Sequence, residues 1–161
     1  MSQNYFHLFD LQPAPAIADH TVVVKKYQQL QKQFHPDFFT QATEEEKEEA
    51  LQQSAIVNEA YKVLKDKYAL IAYYLKINGQ LEEDEKYSLP ADFLMEMMEL
   101  NEDLDEDAAV EGKVLQSIEQ LEEEVTPVLR MESTSHSETD YQTLKEFYFK
   151  AKYLQRLLDR L

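Results

Sequence analysis

The chain has 161 residues, with 32 acidic and 16 basic side chains and a formal net charge of −16. At 43% hydrophobic and 11% aromatic it carries enough apolar mass to fold, as one ordinary domain or two small ones. Two glycines and no cysteine exclude disulfides, thiol chemistry, Cys-based metal ligation and a glycine-rich phosphate loop. The acidic balance disfavours nucleic acid and anionic membranes, which would repel the chain, and leaves protein as the expected partner.

In chain order, Met1 to Phe9 lack the basic charge, apolar run and small-residue site of a signal or transit peptide. No later stretch approaches the roughly 18 apolar residues of a membrane span. A soluble, cytoplasmic protein is expected. The periodicity is helical throughout, which predicts an all-α fold. A short helix around Tyr5 to Phe9 comes first. The second starts at Asp19, a good N-cap, and carries Val23, Tyr27, Leu30 and Phe34 on one face. It ends at His35-Pro36, because proline disfavours helical geometry in the residue before it. Thr43-Glu44-Glu45-Glu46 opens the third as a capping-box pattern, with Ala50, Ser54, Val57, Tyr61 and Leu64 inward. A fourth, about Tyr68 to Asn78, stops at Gly79, a natural residue to end a helix.

The polar interval Leu81 to Ser88 and Leu89-Pro90 mark a boundary, so units over 1–79 and 90–161 joined by a linker at 80–89 are expected. Three helical stretches follow, about Ala91 to Asp105, Ala108 to Arg130, and Asp140 to the C-terminus, enough to bury one shared core. Pro127 is expected to kink or interrupt the middle one. Between Glu82 and Glu124 lie 17 acids and only two bases, Lys86 and Lys113, whereas the rest of the chain is nearly neutral. The acidity therefore belongs to the second unit.

Two features carry chemistry. The tripeptide His35-Pro36-Asp37 lies between two antiparallel helices: proline sets the turn, Asp37 offers a charged acceptor to a partner's donor, and His35 can donate or accept. Lys25 and Lys32 lie on the outward face of the preceding helix, with Lys26 beside them. In the second unit, Phe93, Met97, Leu100 and Leu104 form the inward stripe. Met95 and Met98 point outward on the same arc as Glu99, Glu102 and Glu106, with Leu94 at its edge. Exposed methionines ringed by carboxylates suit an adaptable binding surface. On the last helix Leu144, Phe147, Ala151, Leu154 and Leu158 are expected inward and Tyr153 outward.

The short first helix, basic second helix, His-Pro-Asp turn and capped third helix resemble a J domain. Tyr5-Phe6-His7-Leu8-Phe9, Leu30 to Asp37, Gln52-Gln53-Ser54-Ala55 with Asn58, Ala60-Tyr61, Phe93-Leu94-Met95-Glu96 with Glu99-Leu100, and Lys150 to Leu154 resemble the HscB family of co-chaperones. The resemblance covers nearly the whole chain. It implies an N-terminal J domain with a helical hairpin and a C-terminal three-helix domain. It also implies that His35, Pro36, Asp37, Lys26 and Lys32 stimulate a DnaK/HscA-class ATPase chaperone, with the two lysines meeting an acidic surface. The family's binding patch for the iron–sulfur scaffold IscU maps onto Leu94, Met95, Met98, Glu99, Glu102, Glu106 and Tyr153. Met98 replaces a more usual leucine and Tyr153 a phenylalanine, both keeping apolar area. Phe38 stands where a basic residue commonly follows the tripeptide, and Leu70 where the fourth helix often has arginine.

An enzyme would need its reactive groups from four histidines and many carboxylates. None of His7, His20, His35 or His136 sits in the Glu-x-x-His spacing of di-metal bundles, and no metal, cofactor or catalytic group is expected. The reading is an adaptor coupling hydrolysis to client capture. The alternatives are a J-domain adaptor of a general DnaK chaperone with other clients, and a structural helical module without ATPase effect.

Overall fold

A computed structural model describes residues 4–104 and 109–161. Among them the chain forms seven α-helices, two 3₁₀ turns and no strand. It divides into two compact units, Met1–Tyr73 and Tyr74–Leu161, the division falling inside the fourth helix.

In the first unit, α1 (Tyr5–Leu8) is a single turn whose formation rests on its cap: the Asn4 side chain accepts from the amides of Phe6 at 2.9 Å and His7 at 3.4 Å. It buries Phe6 and, just beyond it, Phe9. Tyr5 stacks on Tyr73 with ring centroids 4.6 Å apart, and its amide donates to the Tyr73 hydroxyl at 2.9 Å. Helix α2 (His20–Phe34) is capped by Asp19, as its sequence predicts, and buries Val23 and Leu30. Helix α3 (Glu44–Lys65) is capped by Thr43 Oγ1, which accepts from the Glu46 amide at 3.2 Å, and buries Ala50, Ser54, Val57, Ala60 and Leu64. The two helices form an antiparallel hairpin. Its seam is mostly apolar, with Ser54 buried on α3, and at one edge Tyr27 stacks on Tyr61 at 3.9 Å and the Asn58 Oδ1 accepts from both Tyr27 and Gln31. Fully burying each aliphatic side chain along such a seam contributes about 1.5–3 kcal/mol.

Helix α4 (Lys67–Ile77) starts where the Asp66 side chain accepts from the amides of Tyr68 and Ala69. It ends in a paired-bond stop: Gln80 donates to the Leu75 carbonyl, Gly79 donates to that of Lys76, and Gly79 has φ of +70°. Only at that position does the turn demand glycine's freedom.

The second unit is built on α5 (Ala91–Asp103), α6 (Val110–Leu129) and α7 (Glu138–Asp159). Phe93, Met97 and Leu100 of α5 meet Val110, Val114 and Ile118 of α6 and Leu154 and Leu157 of α7 in one core. Two sequence expectations change here. Pro127 does not interrupt α6, which continues to Leu129. It sits in the last turn, where, lacking an amide hydrogen, it makes no helical bond back to the preceding turn. On α7 the buried stripe is Leu144, Phe147, Ala151, Leu154 and Leu157, with Leu158 only partly buried. A seam that crosses the helix axis obliquely makes the buried face drift around the helix.

Residues 80–89, expected as a linker, lie against α7 within this second unit. Tyr87 stacks almost parallel on Phe149 with centroids 4.7 Å apart, and Glu85 pairs with Lys145 at 2.6 Å. Both charged side chains are largely shielded, at 18% and 15% exposure. The turn between α6 and α7 is pinned by His136. Its Nε2 lies 2.8 Å from the Val128 carbonyl, which can only accept, so Nε2 carries hydrogen. In the neutral ring Nδ1 then accepts from the Tyr74 hydroxyl at 2.7 Å. Tyr74 is 1% exposed, and burial pushes its phenol far above the ordinary tyrosine range, so it stays a donor.

Tyr74→Phe removes that donor and leaves the His136 acceptor unsatisfied; urea unfolding should show a loss of about 1–3 kcal/mol. The Glu85 carboxyl is held below its usual value, first by the hydrogen bond from Lys145. A depressed folded pKa gives stability that is complete above the unfolded value, near 4.3, and is lost as pH falls through the folded value. The stability difference between the wild type and Lys145→Met should therefore be largest near neutral pH and shrink below about pH 4.

Candidate functional site

The two groups of residues singled out in the sequence occupy different units. In the first, α2 stops at Phe34 and His35 is extended, with φ −62° and ψ 132°. The same residue opens a 3₁₀ turn, Pro36–Phe39, before α3 begins. The Asp37 amide donates to His35 Nδ1 at 3.2 Å, so that nitrogen carries a lone pair in the neutral ring. One Asp37 carboxylate oxygen lies 3.5 Å from the same nitrogen, and the Asp37 side chain is 86% exposed. The turn thus holds its own backbone through His35 and turns an ionised acceptor outward, the arrangement a partner's guanidinium or ammonium requires. Phe38, in the same turn, is 68% exposed with its ring edge toward His35.

Lys32 is exposed in the last turn of α2, where the helix dipole favours a cation. Lys26 is different. Its ammonium is bound to Asp10 at 2.7 Å and its side chain is only 24% exposed. Lys25, Lys26, Lys32, Gln28 and Gln29 line an open groove of about 450 Å³, with Asp10 at its rim.

In the second unit, Met95 and Met98 are 65% and 61% exposed and Leu94 lies at the edge of exposure, with Glu99 and Glu102 open to solvent beside them. These side chains share the outward arc of α5, as the wheel predicts, because Phe93, Met97 and Leu100 commit the opposite arc to the core. Glu106 lies outside the described residues. Tyr153 is not simply outward. It is half-buried, packed against the core with its ring edge-on to Phe93 at 6.3 Å. The drift of the buried face toward Leu157 brings Tyr153 to the core's margin. Asn101, at the end of the same helix, accepts from Arg160 at 2.7 Å, and Lys150 stands over the Phe93 ring at 5.3 Å.

Sequence reasoning missed Asp10, Asn101 and Arg160. No periodicity links Asp10 to Lys26 or Asn101 to Arg160, since each pair joins elements remote in sequence. Among the described residues no group of three or more His, Asp or Glu side chains gathers in a way that could hold a metal ion. No helix among them is long and apolar enough to cross a membrane.

Comparison with known proteins agrees with this architecture. Residues 89–161 match the family described as the HSCB C-terminal oligomerisation domain. The chain is 41% identical to the co-chaperone protein HscB homolog of Pseudoalteromonas atlantica over 76% of its length and 69% of that protein's. It is 31% identical to the human iron–sulfur cluster co-chaperone protein HscB, over 99% of its length and 68% of that protein's. The crystal structure of human HscB superposes with a TM-score of 0.80 at 31% identity, covering 99% of this chain and 80% of that one. HscB from Vibrio cholerae superposes with a TM-score of 0.72 at 28% identity, covering 98% and 94%. With a helical hairpin that carries the His-Pro-Asp turn and a three-helix unit after it, the chain belongs to the HscB family of co-chaperones, a J domain followed by a C-terminal helical domain.

Proposed function

We propose that this protein is a cytoplasmic adaptor that stimulates a DnaK/HscA-class ATPase chaperone and delivers to it an IscU-type scaffold, assisting iron–sulfur cluster assembly and transfer. The observation that carries the proposal is the pair of chemically opposite exposed faces, one on each unit. The outward Asp37 carboxylate and the lysine-lined groove of the same unit suit a partner that offers both a cationic donor and an acidic surface. The exposed Leu94, Met95 and Met98, with Glu99 and Glu102 around them, suit a partner with an apolar spot inside a basic rim.

In this reading residues 1–79 serve the chaperone and 90–161 the scaffold. His35 and Pro36 hold the turn, Asp37 makes the charged contact, and Lys26 and Lys32 steer the approach. Leu94, Met95, Met98 and Tyr153 supply apolar anchors, while Glu99, Glu102 and Glu106 supply orientation and on-rate. The protein's contribution to turnover is positional: two sites on one chain raise the local concentration of client at the chaperone, so hydrolysis is coupled to capture. The chain performs no covalent step.

Steady-state ATPase of a purified DnaK/HscA-class chaperone, with and without an IscU-type scaffold, tests the proposal. Asp37→Ala should abolish stimulation while leaving scaffold affinity unchanged by calorimetry; full stimulation by this variant would remove the turn from the mechanism. Alanine at Leu94, Met95 or Tyr153 should do the reverse, weakening scaffold binding by about 5- to 30-fold each, as loss of an interface anchor does. Scaffold binding should also weaken as salt rises, because its carboxylates are solvent-exposed.

A further inference from the structure

The ion pair between Asp10 and Lys26 stands on the proposed chaperone-binding face and is unexplained by the fold. Asp10 follows α1 with φ of +55°, in the left-handed region that side chains with a Cβ disfavour. Its amide donates to the His7 carbonyl at 3.1 Å, so the strained geometry is the one that closes α1. Glycine adopts that geometry without steric penalty. Aspartate and asparagine are the side chains that tolerate it best, and the charge that distinguishes aspartate finds its partner in Lys26, at 2.7 Å.

The two members are unequally placed. Lys26 is 24% exposed and Asp10 is 75% exposed, so the lysine stem lies against the body and the carboxylate sits at the solvent rim of the groove. The hydrogen bond from Lys26 also holds the Asp10 carboxyl below its usual range. An exposed pair of this kind contributes only about 0–1 kcal/mol, so an incoming carboxylate with better geometry can displace it. Lys25 and Lys32 line the same groove and are exposed.

We propose that Asp10 is a built-in competitor for Lys26, occupying the position of a partner carboxylate and giving way when an acidic surface of the chaperone docks along the groove. This inference rests on the reading of the groove as part of the chaperone-binding face. In the unbound protein the competitor cancels one of the three lysine charges on that face. Weak or non-acidic encounters then gain little from Lys26, whereas a partner that presents a carboxylate at that point recovers the full contact. The competitor therefore trades affinity for selectivity, the repulsive half of a specificity device.

The test is the concentration of this protein giving half-maximal stimulation of a purified DnaK/HscA-class chaperone, measured over a range of salt. Two variants remove the carboxylate: Asp10→Gly, which also relieves the backbone, and Asp10→Asn, which keeps size and tolerates the same φ. Both should lower the half-maximal concentration by about two- to fivefold, the range of one exposed ion pair, and steepen its salt dependence. Adding Lys26→Met to Asp10→Gly should abolish that gain. If both Asp10 variants keep the wild-type half-maximal concentration, or if the gain survives Lys26→Met, the competitor role is overturned. Asp37→Ala in the same assay separates the two levels. Full stimulation by Asp37→Ala overturns the chaperone-docking reading itself, whereas a silent Asp37→Ala beside wild-type-like Asp10 variants overturns only the competitor.

Discussion

Proline at position 36 is the constraint on which the first unit depends. It has no amide hydrogen, and its ring excludes helical geometry from the residue before it, so α2 must end at Phe34 and His35 must be extended. Because His35 is extended, its ring reaches back over the turn and accepts from the Asp37 amide. With that amide satisfied locally, the Asp37 carboxylate is left to face solvent. The hairpin then fixes the turn in space. Val23 and Leu30 on α2, with Val57, Ala60 and Leu64 on α3, are buried, and Tyr27 lies on Tyr61. Within the connection between the two packed helices, the 3₁₀ turn Pro36–Phe39 further limits the freedom of Asp37.

The second unit solves a different problem, how to carry a strongly acidic sequence on a stable bundle. Among the described residues of α5 and α6 most of the acids are exposed, while Phe93, Met97, Leu100, Val110, Val114 and Ile118 enter the core. Burial of that core offsets the repulsion along the helices, and two lysines of α7 make contacts at their flank. Lys145 reaches Glu85, and Lys150 lies between Glu146 and the Phe93 ring. The outward arc of α5 carries Met95 and Met98 exposed beside Glu99 and Glu102.

Much of this was legible beforehand because helical faces and ends are local properties. Asp19, Thr43 and Gly79 act where the sequence places them, since a cap needs only the residues of its own turn. Leu158 shows where local reasoning stops. A wheel with a fixed inward direction puts it in the core, but packing within the bundle buries Leu157 instead and leaves Leu158 only partly buried. The same packing accounts for Tyr153, outward on the wheel yet half-buried against Phe93. Of the kink or interruption expected at Pro127, the interruption does not occur, and α6 runs past it to Leu129.

By itself, then, the amino-acid order determined the helices, their capped ends, the extended His35 before Pro36, the segregation of acid into the second unit, and the outward arc of Met95 and Met98. Each follows from steric rules and a 3.6-residue period acting over a few residues. Only the tertiary structure decided which distant groups meet. Tyr74 and His136, 62 positions apart, share a hydrogen bond; Tyr87 lies on Phe149; Asp10 holds Lys26. Such pairs depend on the directions in which packed helices bring their flanks together, and no local pattern encodes those directions. The charge of −16 shows the difference in one number. Its distribution along the chain was readable at once, but whether a given lysine faces a partner or an internal carboxylate was settled by packing alone.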